Sequence, residues 1–74
     1  SFLIRQIANG TYEAYQAGAT TMSATLYNMD GKVIASNNSN GNTISINTGN
    51  ANKGIYLLKV STGKFSHTQK IVIR

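Results

Sequence analysis

Met22-Ser23-Ala24-Thr25-Leu26-Tyr27-Asn28-Met29-Asp30-Gly31-Lys32-Val33-Ile34-Ala35-Ser36 holds two short strands and the turn between them. Met22, Ala24 and Leu26 fall on one face and Ser23, Thr25 and Tyr27 on the other, which is the period-two pattern of a half-buried strand. Asp-Gly is among the strongest two-residue hairpin signals, because a type I′ turn needs positive φ at both central residues. The spacing predicts strands over 22–28 and 32–36, joined by a tight turn at Asp30-Gly31.

The same period continues outward on both sides. Downstream, Asn37-Asn38-Ser39-Asn40-Gly41 predicts a loop, since Asn and Gly tolerate left-handed backbone. A strand over 42–47 follows, with Ile44 and Ile46 inward and Thr43 and Ser45 outward. After a polar connection, Gly54 opens a strand over 55–61 whose inward face is Tyr56, Leu58 and Val60. Ile55 and Leu57 point the other way, which predicts a central strand covered on both faces. Thr62-Gly63 turns the chain into a last strand over 64–73, with Phe65, His67, Gln69, Ile71 and Ile73 on one side. Upstream, strands are expected over 2–7 and 11–15. Residues 12–17 fit either a short strand or one helical turn, and Gly10 and Gly18 stand too close for a long helix.

Seven short strands with turn signals between them predict an all-β fold. The expectation is a seven-stranded antiparallel immunoglobulin-like β-sandwich, with a small barrel as the alternative. The length of 74 residues suits one domain, 1–74. No cysteine is present, so neither disulfides nor thiolate zinc sites are possible, and one histidine cannot anchor an all-nitrogen site. No metal and no cofactor are expected. No run of about 18 apolar residues occurs, as a membrane-spanning helix would need. The start lacks both an initiator methionine and a signal-peptide pattern, and the chain reads as a fragment whose upstream partner is missing.

Seven Lys and Arg face only Glu13 and Asp30, a net charge of +5, yet charged residues are just 12% of the chain. The basic residues are scattered, with no basic run and no stacking motif of the RNA-binding kind, so no nucleic-acid partner is expected. His67, Asp30 and a serine could be drawn together on paper, but nothing supplies an oriented base or an oxyanion hole, so no enzyme is expected and no catalytic residue. Tyr12, Tyr15 and Tyr27 could line a sugar-binding face, although such tyrosines more often cap a small core. Lys59 stands among apolar residues and is expected to snorkel from a sheet face.

Two ordered stretches carry a family resemblance. Ala24-Thr25-Leu26-Tyr27-Asn28-Met29-Asp30-Gly31-Lys32-Val33-Ile34 comes first. Lys53-Gly54-Ile55-Tyr56-Leu57-Leu58-Lys59-Val60 follows, then Thr62-Gly63-Lys64 and Gln69-Lys70-Ile71-Val72-Ile73-Arg74. Together they resemble the type A C-terminal sorting domain of the type IX (Por) secretion system of Bacteroidota. The resemblance covers residues 22–74. The family often opens on an Asn-Pro element, and this chain has no proline.

The resemblance implies a job and a set of recognition residues: Asp30, Gly31, Lys32, Val33, Gly54, Tyr56, Leu58, Lys59, Val60, Lys70, Ile71, Val72, Ile73 and Arg74. It implies a signal that leads an upstream cargo domain from the periplasm across the outer membrane to the cell surface or medium. The implied partners are the type IX translocon, outer-membrane shuttle proteins and a sortase-like cysteine peptidase that removes the signal. The bland reading of the same residues is core packing for Tyr56, Leu58 and Val60, backbone geometry for Gly54 and a plain turn for Asp30-Gly31. The rival function is an immunoglobulin-like accessory or carbohydrate-binding module of a secreted enzyme. A monomer and a strand-exchanged dimer both fit such short strands.

Overall fold

The computed structural model describes residues 2–74, and no helix occurs among them. Seven strands form: β1 Leu3–Ala8, β2 Thr11–Tyr15, β3 Met22–Asn28, β4 Val33–Ser39, β5 Thr43–Asn47, β6 Gly54–Ser61 and β7 Ser66–Ile73. All pairings are antiparallel. One sheet has the order β1-β2-β5 and the other β4-β3-β6-β7. Residues 12–15, open to two readings in sequence, belong to a strand.

The two sheets bury their facing sides as a sandwich. Alternation sends Met22, Ala24 and Leu26 of β3 inward, with Tyr56, Leu58 and Val60 of β6 and Ile71 of β7. Ala14 of β2 and Ile44 and Ile46 of β5 meet them from the other sheet. Leu26 and Leu58, direct cross-strand partners, are 0% and 1% exposed, and Val60 is 0% exposed. These three are the largest wholly buried side chains, so the core is narrow and rests on β3 and β6.

Two expectations need correction. β6 is central, between β3 and β7, but it is covered on one face only: Ile55 is 45% exposed and Leu57 is partly exposed. A two-sheet sandwich has no third layer to cover the outer side. Next, β4 runs on through Asn37, Asn38 and Ser39, which composition assigns to a loop. Met22, Ser23 and Ala24 of β3 supply backbone partners along that stretch, and this pairing overrides the local preference. The seven-stranded antiparallel β-sandwich is as expected, with three strands in one sheet and four in the other. β4 pairs with β3 and reaches β5 only through side chains. Asn37 Nδ2 donates to the Ser45 carbonyl at 2.7 Å, and Ser39 Oγ donates to the Thr43 carbonyl at 2.6 Å.

Those two bonds close the side of the sandwich where β4 meets β5. The opposite side stays open, flanked by the edge strands β1 and β7. Phe2 stacks on His67 there, with ring centroids 6.1 Å apart.

Leu58→Ala should lower the unfolding free energy by about 2–5 kcal/mol. That is a large share of the roughly 4–11 kcal/mol expected for this length. Ile55→Ala, on the outer face of the same strand, should stay within about 0.5 kcal/mol. Urea denaturation of the two variants separates them; equal losses would show the outer face to be packed as the inner one is.

Candidate recognition surface

The β3–β4 hairpin is organised by Asn28. Its Oδ1 accepts from the backbone N–H groups of Asp30 and Lys32, both at 2.9 Å. Its carbonyl accepts from Gly31 N–H at 3.0 Å, and its own N–H donates to the Lys32 carbonyl at 2.9 Å. Gly31 has φ of 87°, and no residue other than glycine has positive φ among the described residues. Asp30 therefore cannot occupy a type I′ turn, as the sequence predicted. The loop has three residues, closed by a turn over 28–31 with Gly31 left-handed, the next commonest hairpin geometry. The side-chain bonds of Asn28 tip the choice, since they satisfy two loop donors at once. Sequence reading missed Asn28 as the organiser; the signal was an Asx-turn residue two positions before Asp30.

Register shifts just beyond the hairpin. Leu26 pairs with Ala35 but Tyr27 pairs with Val33, which leaves Ile34 as the extra residue of a bulge. Val33 thus stands opposite Tyr27 on the outer face, 52% exposed.

Gly54 begins β6 with φ of 152°, outside the range that side-chain-bearing residues adopt. Tyr56, two residues on, buries its ring in the core and donates its hydroxyl to the Asn52 carbonyl at 2.7 Å. Tyr56 therefore fastens the loop before β6 to the start of that strand.

The fourteen residues singled out from sequence fall into three groups. Asp30, Gly31, Lys32 and Gly54 sit at turns and strand starts. Tyr56, Leu58, Val60 and Ile71 are buried, and Ile73 packs against them. Val33, Lys59, Lys70 and Val72 lie on the outer face of the four-stranded sheet, and Arg74 follows the end of β7. The last group is drawn together by pairing: Val33, Tyr27, Leu57 and Lys70 form one row across four strands. Ile55 and Val72 form the next row, and Thr25, Lys59 and Thr68 the row on the other side. Lys59 is exposed, as a snorkelling lysine would be.

The tyrosines do not gather. Tyr12 packs against the core, Tyr15 is on the outer side of the three-stranded sheet, and Tyr27 is on the outer side of the other. The one ion pair among the described residues joins Arg5 and Glu13 at 3.0 Å, away from the motif residues. It is exposed and adds little stability. No three histidine or carboxylate side chains cluster as a metal centre would require, among the described residues. A groove between the β2–β3 and β6–β7 connections is lined by Gln16, Thr20, Thr21, Thr62 and Phe65, with Lys64 its one ionisable group. Such a lining can bind but has no acid–base pair.

The molecule is thus a small sandwich that offers faces, edges and turns to a partner. The family model described as "Secretion system C-terminal sorting domain" matches residues 7–74. The chain belongs to that family, the C-terminal sorting domains of type IX secretion, which is a family of signals and not of enzymes. The match takes in β2 and most of the N-terminal third, beyond the part in which the resemblance is legible. No curated protein sequence matches the chain.

Asn28→Ala should cost about 1–2 kcal/mol, because two loop N–H groups lose their acceptor. Gly31→Ala should cost about 1 kcal/mol through its left-handed φ. Gly63→Ala, at a turn glycine without positive φ, should be near neutral. Thermal unfolding of the three variants checks the order; a neutral Asn28→Ala would remove its organising role.

Proposed function

We propose that this chain is the part of a secreted protein that the type IX translocon and its outer-membrane shuttle proteins read. It leads an upstream cargo domain out of the periplasm, and a sortase-like cysteine peptidase at the surface then removes it. The observation that carries this reading is the family match over residues 7–74, and the exposure of Lys32, Val33, Lys59, Lys70, Val72 and Arg74 supports it. Type IX sorting domains direct export across the outer membrane, toward the cell surface or the medium. Recognition then rests on Lys32, Val33, Lys59, Lys70, Val72 and Arg74, whose side chains are exposed. Tyr56, Leu58, Val60, Ile71 and Ile73 serve recognition indirectly, by holding β6 and β7 in register. The free edge of β7 adds backbone donors and acceptors that a partner strand can pair with. The dispersed tyrosines weigh against a flat sugar-binding face and thus against the accessory-module reading.

The test is a fusion of residues 1–74 behind a periplasm-directed fluorescent protein, in a bacterium with type IX secretion and in the same host lacking the translocon. Surface or medium fluorescence is expected in the first host only. Retention in both, with the domain folded, would overturn the proposal and favour an accessory binding module. In a third host lacking the surface peptidase, the exported fusion is expected to keep the domain; normal trimming there would overturn the removal step. Truncation at Lys70 is a poor substitute, since it also removes the buried Ile71 and half the β6–β7 pairing.

A further inference from the structure

The outer face of the four-stranded sheet is unusual in what it combines. Its centre is apolar: Val33, Tyr27, Leu57, Ile55 and Val72 adjoin across β4, β3, β6 and β7. Val33, Ile55 and Val72 are 52%, 45% and 42% exposed. Directly opposed residues on one face have Cβ atoms about 5 Å apart, so these side chains form one patch and not scattered exposures. Lys70 stands beside Leu57 in the first row, Lys59 lies in the row on the side away from Ile55 and Val72, and Lys32 sits at the hairpin end. Thr25 and Thr68 flank Lys59 in its row, and Ser23 and Ser61, joined by a 2.7 Å hydrogen bond, form the row beyond.

An apolar centre inside a charged and hydroxylated rim is the anatomy of a protein interface. The charge on that rim is of one sign. Glu13 is on the other sheet and is taken up by Arg5, and Asp30 is in the hairpin loop. No side-chain carboxylate therefore stands on this face to neutralise Lys59 or Lys70. The outer face of the other sheet also exposes Leu3 and Tyr15, but its cation already has a partner. A second copy of the chain is a poor occupant, since two such faces would oppose lysine to lysine. Anionic lipid is recognised by clusters of about 4–8 basic residues, and this face has fewer, spread around an apolar middle.

We propose that this face is a docking surface for a protein partner that presents an apolar strip bordered by Asp or Glu. The proposal rests on the sorting reading and names the part of the signal that is read. Lys59 and Lys70 set the partner's orientation, and Ile55, Leu57 and Val72 supply the contact that water must leave.

The experiment uses the same 1–74 fusion with four sequences: wild type, Lys59→Glu with Lys70→Glu, Ile55→Ser with Val72→Ser, and Lys53→Glu with Lys64→Glu. The last pair changes net charge as much as the first but lies in connections outside the strands of this face. Urea denaturation of each purified chain confirms folding. Both outer-face variants are expected to lower surface fluorescence by about tenfold or more, given the cost of like-charge or lost apolar contact. The loop-lysine variant should stay near wild type. Full export of both outer-face variants, with wild type still requiring the translocon, overturns this inference and leaves the sorting reading standing. An equal loss in the loop-lysine variant also overturns it, since net charge alone would then explain the effect. Wild type that is not exported overturns both. Sedimentation with phosphatidylglycerol vesicles adds a further arm: binding that Lys59→Glu with Lys70→Glu abolishes would assign the face to lipid and overturn the protein partner, whereas no sedimentation supports it.

Discussion

The contact of Leu58 and Val60 with Leu26 is the one on which the rest of the sandwich depends. These three side chains are the largest that water does not reach, and they come from two adjacent strands of one sheet. Ile44 and Ile46 give the other sheet something to rest on only because that surface exists. With no disulfide and no metal cluster among the described residues, apolar burial must offset nearly the whole entropy of ordering the chain. Two consequences follow from so narrow a core. Every inward position of β6 is constrained, and the outward positions are free to be chosen for something other than stability.

That division explains the character of the family pattern. Along β6 the residues alternate between those that fold the domain and those that a partner can touch, and β7 repeats the alternation in register with it. Tyr56 is inward with its hydroxyl spent on the Asn52 carbonyl, whereas Lys59 and Lys70 are outward with no carboxylate to meet. A linear motif thus encodes two things at once, and the period of two keeps them apart.

Much of this was legible in sequence because it is local. The inward faces of β3, β5 and β6 follow from side-chain alternation, and each lies where Met22-Ala24-Leu26, Ile44-Ile46 and Tyr56-Leu58-Val60 put it. Gly54 was legible as a backbone requirement for the same reason. What was not legible is set by partners distant in the chain. Coverage of Ile55 and Leu57 depends on how many layers the fold has, which no strand reports about itself. Asn37 and Ser39 look like loop residues until β3 pairs with their backbone and β5 accepts their side chains. The hairpin differs for a subtler reason: Asp30-Gly31 marked the place correctly, but Asn28, outside that dipeptide, chose the geometry. The recognition set was legible as a list and not as a surface. Pairing alone shows that Val33 and Lys70, distant in sequence, occupy one row with Tyr27 and Leu57 between them.

The asymmetry between the closed side of the sandwich and the open one has a mechanical meaning. β1 is hydrogen-bonded to β2 alone, and it belongs to the sheet that lacks the motif residues. Tension arriving through the N-terminal end of the chain therefore acts first on the Phe2–His67 stack and on β1, and along the hydrogen-bond ladders only through β2 to β5. β3, β6 and β7 lie in the other layer, joined to that path by side-chain packing and not by a shared ladder of hydrogen bonds. β1 is in this sense a strain relief: its ladder with β2 can give way before any hydrogen bond that joins β4, β3, β6 and β7 is broken.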